Sequence, residues 1–236
     1  MLRCEDIEIG QGNFHLKADF SFKEGVVTAL VGPSGAGKST LLATLSGFLT
    51  PISGRITYGA EDITAAAPGS RPISILFQDN NLFPHLTISQ NVGLALGPRL
   101  KLTPEEKENV DSILRQVGLN GMGMRRPADL SGGQQSRAAL ARVLLANRPI
   151  VLLDEPFAAL GPALKHDMLN LVEKMLLSKG RTVVMVTHDP DDARRIAEQT
   201  IVVADGRAAP PVNTASLFAN PPKALAEYLG ETDRSK

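Results

Sequence analysis

The chain has 236 residues, 43% of them apolar, and 25 Lys plus Arg set against 25 Asp plus Glu for a formal net charge of +0. That apolar content can build one large domain or two small ones, and the balanced charge speaks against nucleic acid as a partner. The single cysteine, Cys4, excludes an internal disulfide and a cysteine-rich metal site; no apolar run nears the roughly 18 residues that span a bilayer, and residues 1–6 lack a signal peptide's apolar stretch, so a soluble cytoplasmic chain is expected.

Residues 2–22 read as two strands. In the second, Phe14, Leu16, Ala18, Phe20 and Phe22 alternate with polar residues, the pattern of an antiparallel sheet that is wet on one face. A β-rich apolar run, 26–31, ends at Gly32, and Leu41, Leu42, Leu45, Phe48 and Leu49 then fall on one helical face. Between strand and helix lie Gly32, Pro33, Ser34, Gly35, Ala36, Gly37, Lys38, Ser39 and Thr40, which satisfy the G-x-x-x-x-G-K-[ST] pattern of a phosphate-cradling loop in its required context. Glycines let the backbone N–H groups close on phosphate oxygens, and the following helix adds the positive end of its dipole. Lys38 can reach the β- and γ-phosphates and the Ser39 hydroxyl can ligate Mg²⁺, so nucleoside triphosphate binding is expected.

Further along, a turn at 51–54 leads to a short strand at 55–58, a loop at 65–72, and an apolar strand at 73–77 that ends at Gln78. Residues 87–130 turn helical: Thr103 is an N-cap, Pro104 sits at N1, and Glu106 closes a capping box before a helix that stops at Gly118. Ser131 precedes a helix at 134–145, and residues 150–153 form a buried strand running into Asp154 and Glu155. Helix 163–177, strand 182–187 ending at His188, helix 191–197 and strand 201–204 complete an alternating pattern. Such alternation implies an α/β fold with a mainly parallel sheet whose ligands sit at the C-terminal strand ends, where Lys38, Gln78, Asp154 and His188 all fall.

Asp154 can organise Mg²⁺ and Glu155 can polarise an attacking water, although a polar strand exit would look the same in isolation. His188 and Gln78 likewise read as γ-phosphate, metal or water contacts, or as ordinary strand termini. Leu130, Ser131, Gly132, Gly133 and Gln134 form a second anion-ready helix start, one more than a single phosphate site needs. With these motifs in order, the chain resembles the ATP-binding cassette (ABC) family, the ATPase subunits of ABC transporters, over nearly its whole length. The resemblance implies a phosphate-loop NTPase with a mainly parallel sheet, an N-terminal antiparallel β layer and a helical subdomain. It implies one ATP-binding domain over 1–236, with a nucleotide core at 1–84 and 141–236 and the helical subdomain at 85–140. ATP and Mg²⁺ are the implied ligands, with Ser39, Gln78 and Asp154 on the metal, Glu155 as general base, and Gln78 and His188 at the γ-phosphate. Ser131 to Gln134 would cap ATP held by the opposite subunit of a homodimer.

Two positions depart from the family pattern. The aromatic residue expected to stack on adenine is replaced by the turn Gly10, Gln11, Gly12, Asn13, with Phe14 the nearest ring but in phase with the apolar face; the aspartate that closes the loop after Asp154 is replaced by Gly161. A chromosomal or ribosomal cassette ATPase would carry a long coiled coil or a second cassette, and a phosphate-loop kinase would leave the Ser131 motif unused. The reading is therefore a transport ATPase, peripheral on the cytoplasmic face of the membrane through permease subunits and serving, indirectly, a periplasmic or extracellular solute-binding protein. Residues 47–51, 76–87, 91–96 and 202–206 are similar to the ATPases of bacterial thiamine importers, and iron(III), polyamine and sulfate importers have related ATPases. The segment from Asp79 to Leu86 is the expected permease contact, with Leu82 and Phe83 either covered by the permease or packed beneath the helical insert.

Overall fold

The computed structural model describes residues 1–12 and 14–230. The chain begins with β1 (Leu2–Gln11) and β2 (Phe14–Ser21), passes through β3 (Val27–Val31) into α1 (Lys38–Ser46), and returns in β4 (Ser53–Tyr58), β5 (Glu61–Asp62) and β6 (Ile73–Leu76). A helical stretch follows, α2 (Ile88–Gly93), α3 (Pro104–Gln116) and α4 (Gly132–Ala146). Then come β7 (Ile150–Asp154), α5 (Pro162–Leu176), β8 (Thr182–Val186), α6 (Pro190–Ile196) and β9 (Gln199–Ala204). The C-terminal part adds β10 (Arg207–Ala208), β11 (Val212–Asn213), α7 (Thr214–Ala219) and α8 (Lys223–Tyr228), none of which the sequence reading anticipated.

β9, β3, β8, β7 and β6 pair in that order and all in parallel. β1 pairs antiparallel with β2 and β4, and β10 joins this layer to the parallel strands through β2 and β9. Side chains of a strand point alternately to the two faces, and here each face has its own core. Val27, Ala29, Val151, Leu153, Val183 and Met185 pack with the helical stretch, whereas Leu30, Ile150, Leu152, Val184 and Val186 pack with α1 and the antiparallel strands. This double burial explains why β3, β7 and β8 are dominated by consecutive apolar residues while β2 alternates. Burial also pushes the Cys4 thiol up to about 12, which keeps it out of thiolate chemistry.

The apolar stripe read into α1 is shorter than expected. Gly47 takes φ 87 and ends the helix after Ser46, so Leu41, Leu42 and Leu45 are buried but Phe48 is 55% exposed, its ring edge-on to Phe77 at 5.7 Å. The carbonyls at the end of α1 are met by Arg71, which is 1% exposed. Its guanidinium donates to Thr44 O at 2.8 Å, Leu45 O at 2.7 Å, Thr64 O at 2.7 Å and Ala66 O at 3.0 Å. Arg71→Met would strand these buried acceptors at a cost of about 3 kcal/mol, which for a chain of this size lowers the thermal midpoint by about 6–12 °C. A melting curve that overlays the parent's would refute that structural role.

Candidate phosphate-binding site

The loop between β3 and α1 is shaped by its neighbours. Gly32 holds φ 144, and a Cβ there would lie 2.1 Å from the Val203 carbonyl oxygen on β9; Gly37 holds φ 102, and a Cβ there would lie 2.5 Å from the Phe14 ring. Only glycine satisfies both the backbone angle and the space. Phe14 is half-buried against this loop and the core beneath the antiparallel strands, which is the packing role its phase allowed. Gly37 also begins α1 without a side-chain cap, and the first turn holds no acidic residue. The helix-start N–H groups therefore face no competing side-chain acceptor, as an anion site requires.

Lys38 is 7% exposed and donates to Gly32 O and Pro33 O, each at 2.8 Å. Burial lowers its pKa, while Glu155 and Asp154 pull it back up. The ammonium thus sits on two neutral carbonyls with no carboxylate of the described residues in hydrogen-bond range, an arrangement free to make a charge-assisted bond to an anion. Ser39 Oγ donates to Asp154 Oδ1 at 2.9 Å, across from the end of β7. Burial raises the Asp154 pKa, and the Ser39 bond opposes the rise. Two oxygen donors from distant parts of the sequence thereby meet at one point.

Glu155 follows Asp154 with φ 44, an uncommon backbone for a residue with a Cβ, and its N–H bonds Val186 O at 3.2 Å. The turn aims the carboxylate at the end of β8, where Glu155 Oε2 lies 3.2 Å from His188 Nδ1. The next residue, Asp189, caps α6 through the Asp191 N–H and accepts from Lys165 of α5 at 2.7 Å, and Lys165 also lies 3.2 Å from Asp192. From the other side the Tyr228 hydroxyl of α8 donates to the His188 carbonyl, and burial followed by the nearby Glu155 carboxylate raises its pKa. Lys165, Asp192 and Tyr228 went unread in the sequence, since α8 was not anticipated and a lysine in an amphipathic helix carries no signal of its own.

The lysine clamp has a pH signature. The bond from Lys165 holds the Asp189 carboxyl below its ordinary 3.8, so its stabilisation is present above that value and is lost as pH falls through the lower native one. Burial would lower the Lys165 pKa, but its bonds to Asp189 and Asp192 outweigh burial and raise it above 10.5, so the lysine's share is present below 10.5 and lost as pH rises through the native value. Lys165→Met should cost about 1 kcal/mol across neutral pH, a small figure because Asp189 is over a third exposed and screened by water. The gap to the parent should close at the acid end, and denaturant titrations showing a gap that persists at pH 2 would sink the clamp.

Two sequence-predicted groups stand apart from this cluster. Gln78 lies in an exposed turn two residues beyond β6, and no hydrogen bond among the described residues joins it to Ser39, Asp154 or Glu155. Ser131, Gly132, Gly133 and Gln134 start α4 as a capping box: Ser131 N donates to Gln134 Oε1 at 3.0 Å, and Gln134 N donates to Ser131 Oγ at 3.4 Å. The loop that follows Glu155 ends at Gly161, which caps α5 with no side-chain bond.

Residues 16–158 match the family model described as ABC transporter. The chain is 55% identical to the thiamine import ATP-binding protein ThiQ of Ruegeria sp. (strain TM1040), over 98% of this chain and 100% of that protein. It is 47% identical to ThiQ of Shigella boydii serotype 4 over 98% of this chain and 100% of that one. Among solved structures, the ADP conformation of the ATP-binding cassette MJ1267 superposes with a TM-score of 0.87 at 27% identity, covering 98% of each chain. The dimeric post-hydrolysis state of the cassette MJ0796, bound to ADP and Pi, gives 0.78 at 30% identity, covering 91% of this chain and 99% of that one. A family model matched over more than half of the chain and relatives matched end to end, with a glycine-rich loop ahead of α1 and the Ser39–Asp154 and Glu155–His188 pairs at the ends of parallel strands, identify the chain as an ATPase of the ABC transporter family.

Proposed function

We propose that this chain is the ATP-hydrolysing subunit of a bacterial thiamine importer, working as a homodimer on the cytoplasmic face of the membrane beside permease subunits. Identity of 55% over the whole of a thiamine import ATP-binding protein carries this reading. A periplasmic or extracellular solute-binding protein would deliver the solute to the permease. Residues 1–84 and 141–236 act as the nucleotide core and 85–140 as the helical subdomain of one cassette.

ATP lies with its phosphates against residues 32–40, where Lys38 moves from the loop carbonyls to the β- and γ-phosphates. Ser39 and Asp154 fit Mg²⁺: one hydroxyl and one carboxylate are the sparse donor set of an ion that takes its remaining ligands from phosphate and water. When bound, the ion supplies charge neutralisation at the phosphates. Glu155 accepts the proton of the attacking water, and His188, held beside it, contacts the γ-phosphate. Gln78 reaches the metal and water from its exposed turn, and Ser131 to Gln134 complete the site of the other subunit. The dimeric structure of the MJ0796 cassette supports the pairing of two copies.

The permease contact follows the turn after Gln78. Leu82 packs onto the core, as the packing alternative held, but Phe83 is 46% exposed and its backbone is pinned by Asn91 at 2.7 Å and 3.1 Å. From Thr87 onward opens a cavity of about 640 Å³ with a mixed lining, Leu102, Leu114 and Met124 beside Lys107, Asp111 and Arg115, and Met124 is 83% exposed. The exposed Phe83 ring, on a backbone held in place, suits contact with a membrane subunit's docking segment.

The test is transport itself. In cells lacking this chain, uptake of labelled thiamine should fall to background and return with the parent but not with Glu155→Gln. If thiamine uptake persists while iron(III), polyamine or sulfate uptake is lost, the solute assignment is wrong and the ATPase reading stands.

A further inference from the structure

The turn that follows Gln78 has an unusual backbone. Asn80 and Asn81 both adopt left-handed conformations, φ 58 and φ 45, which asparagine tolerates better than other residues with a side chain. Consecutive left-handed residues point their carbonyls the same way, and one guanidinium takes both: Arg142 donates from Nη2 to Asn80 O at 2.9 Å and from Nη1 to Asn81 O at 2.8 Å. Arg142 belongs to α4, the helix that the Ser131 motif begins. A second link runs beside the first. Asn80 Nδ2 donates to Ser136 Oγ at 3.3 Å, and buried Ser136 donates in turn to Gly132 O at 3.2 Å, in the first turn of α4. The remaining amide oxygen of Asn80 is buried with no hydrogen-bond partner among the described residues.

We propose that Asn80, Ser136 and Arg142 are positioning residues that fasten the turn after Gln78 to α4, so that any displacement of the turn is delivered to the helix end carrying Ser131 to Gln134. This rests on the reading of Gln78 as a γ-phosphate contact and of the Ser131 motif as the cap on the other subunit's ATP. A planar fork on two parallel carbonyls resists both sliding and rotation, which a single-point contact would not. The chain of bonds from Asn80 through Ser136 to Gly132 then ends on the backbone that would meet phosphate.

The experiment uses the full chain with MgATP. Asn80→Gly keeps the left-handed backbone and removes the side-chain link; Ser136→Ala removes the same link from the other end. Each should lower kcat about fivefold, while KM for ATP and the nucleotide affinity of the monomer stay at the parent values. The double variant should be no slower than the slower single variant, because both remove one connection; losses that multiply would overturn the proposal. Arg142→Lys, which cannot bridge two carbonyls, supplies an independent readout. ATP should slow amide exchange at 131–136 in the parent and not in Arg142→Lys, even where both slow exchange at the turn. A response at 131–136 in Arg142→Lys equal to the parent's would overturn the proposal. Exchange at the turn that ATP leaves unchanged in the parent would remove the reading of Gln78 beneath it, whereas a response at the turn with none at 131–136 in the parent would overturn the proposal alone. Should Arg142→Lys fail to fold, the Asn80 and Ser136 cycle decides alone.

Discussion

Glu155→Gln is expected to bind ATP as the parent does and to hydrolyse it about 10²–10⁴-fold more slowly, the usual worth of a positioned base. The amide has nearly the carboxylate's shape, so the φ 44 turn and the 3.2 Å bond of its N–H to Val186 O have no reason to change. What disappears is the proton acceptor 3.2 Å from His188. Asp154 is turned to Ser39, whose hydroxyl it accepts through Oδ1, and is the carboxylate proposed for Mg²⁺ rather than for the water. ATP should accumulate unhydrolysed on a dimer that size exclusion resolves from the monomer, and phosphate release at the parent rate would move the base to another residue.

Gly32→Ala is expected to act through sterics rather than chemistry. Its Cβ would stand 2.1 Å from the Val203 carbonyl oxygen, a backbone atom of a central strand that cannot turn aside as a side chain can. The φ of 144 is strained for alanine as well. Together these should cost on the order of 3 kcal/mol or more, a large share of the roughly 5–15 kcal/mol that holds a typical domain. If the strand holds, the loop must give, and the N–H groups on either side lose their aim at phosphate. Either a fall in thermal midpoint or a loss of nucleotide binding of at least tenfold follows. A variant with neither would show that the loop has slack the structure does not reveal.

Elements whose residues had one job were legible in the sequence. β3, β7 and β8 are buried on both faces, and Thr103 with Glu106 formed the capping box that their spacing predicted. The phosphate loop was legible because glycine, lysine and hydroxyl must occur there in fixed order. Legibility failed where meaning depends on a distant partner. Phe48 looked like a core residue until Gly47 ended the helix beneath it. Arg142, in a helix of mostly buried apolar residues, gave no hint that two asparagine carbonyls 62 and 61 residues away would claim it. Tyr228 lies 40 residues from the carbonyl it holds, on a helix too short for periodicity to announce.

The two helix starts proposed to meet ATP differ in what an arriving phosphate must displace. At α1 no side chain among the described residues occupies the N-terminal N–H groups. At α4 the Gln134 side chain already ligates the Ser131 N–H and the Ser131 hydroxyl ligates Gln134 N, so the helix carries its own internal ligand. An anion gains only the difference between its bonds and those it breaks, which makes α4 a poor receptor for free nucleotide and a selective one for a phosphate already fixed elsewhere. On the proposed reading, loading order would then come from exchange of ligands: nucleotide would settle at Lys38 first, and the second helix would trade its glutamine for phosphate only when another subunit presents it.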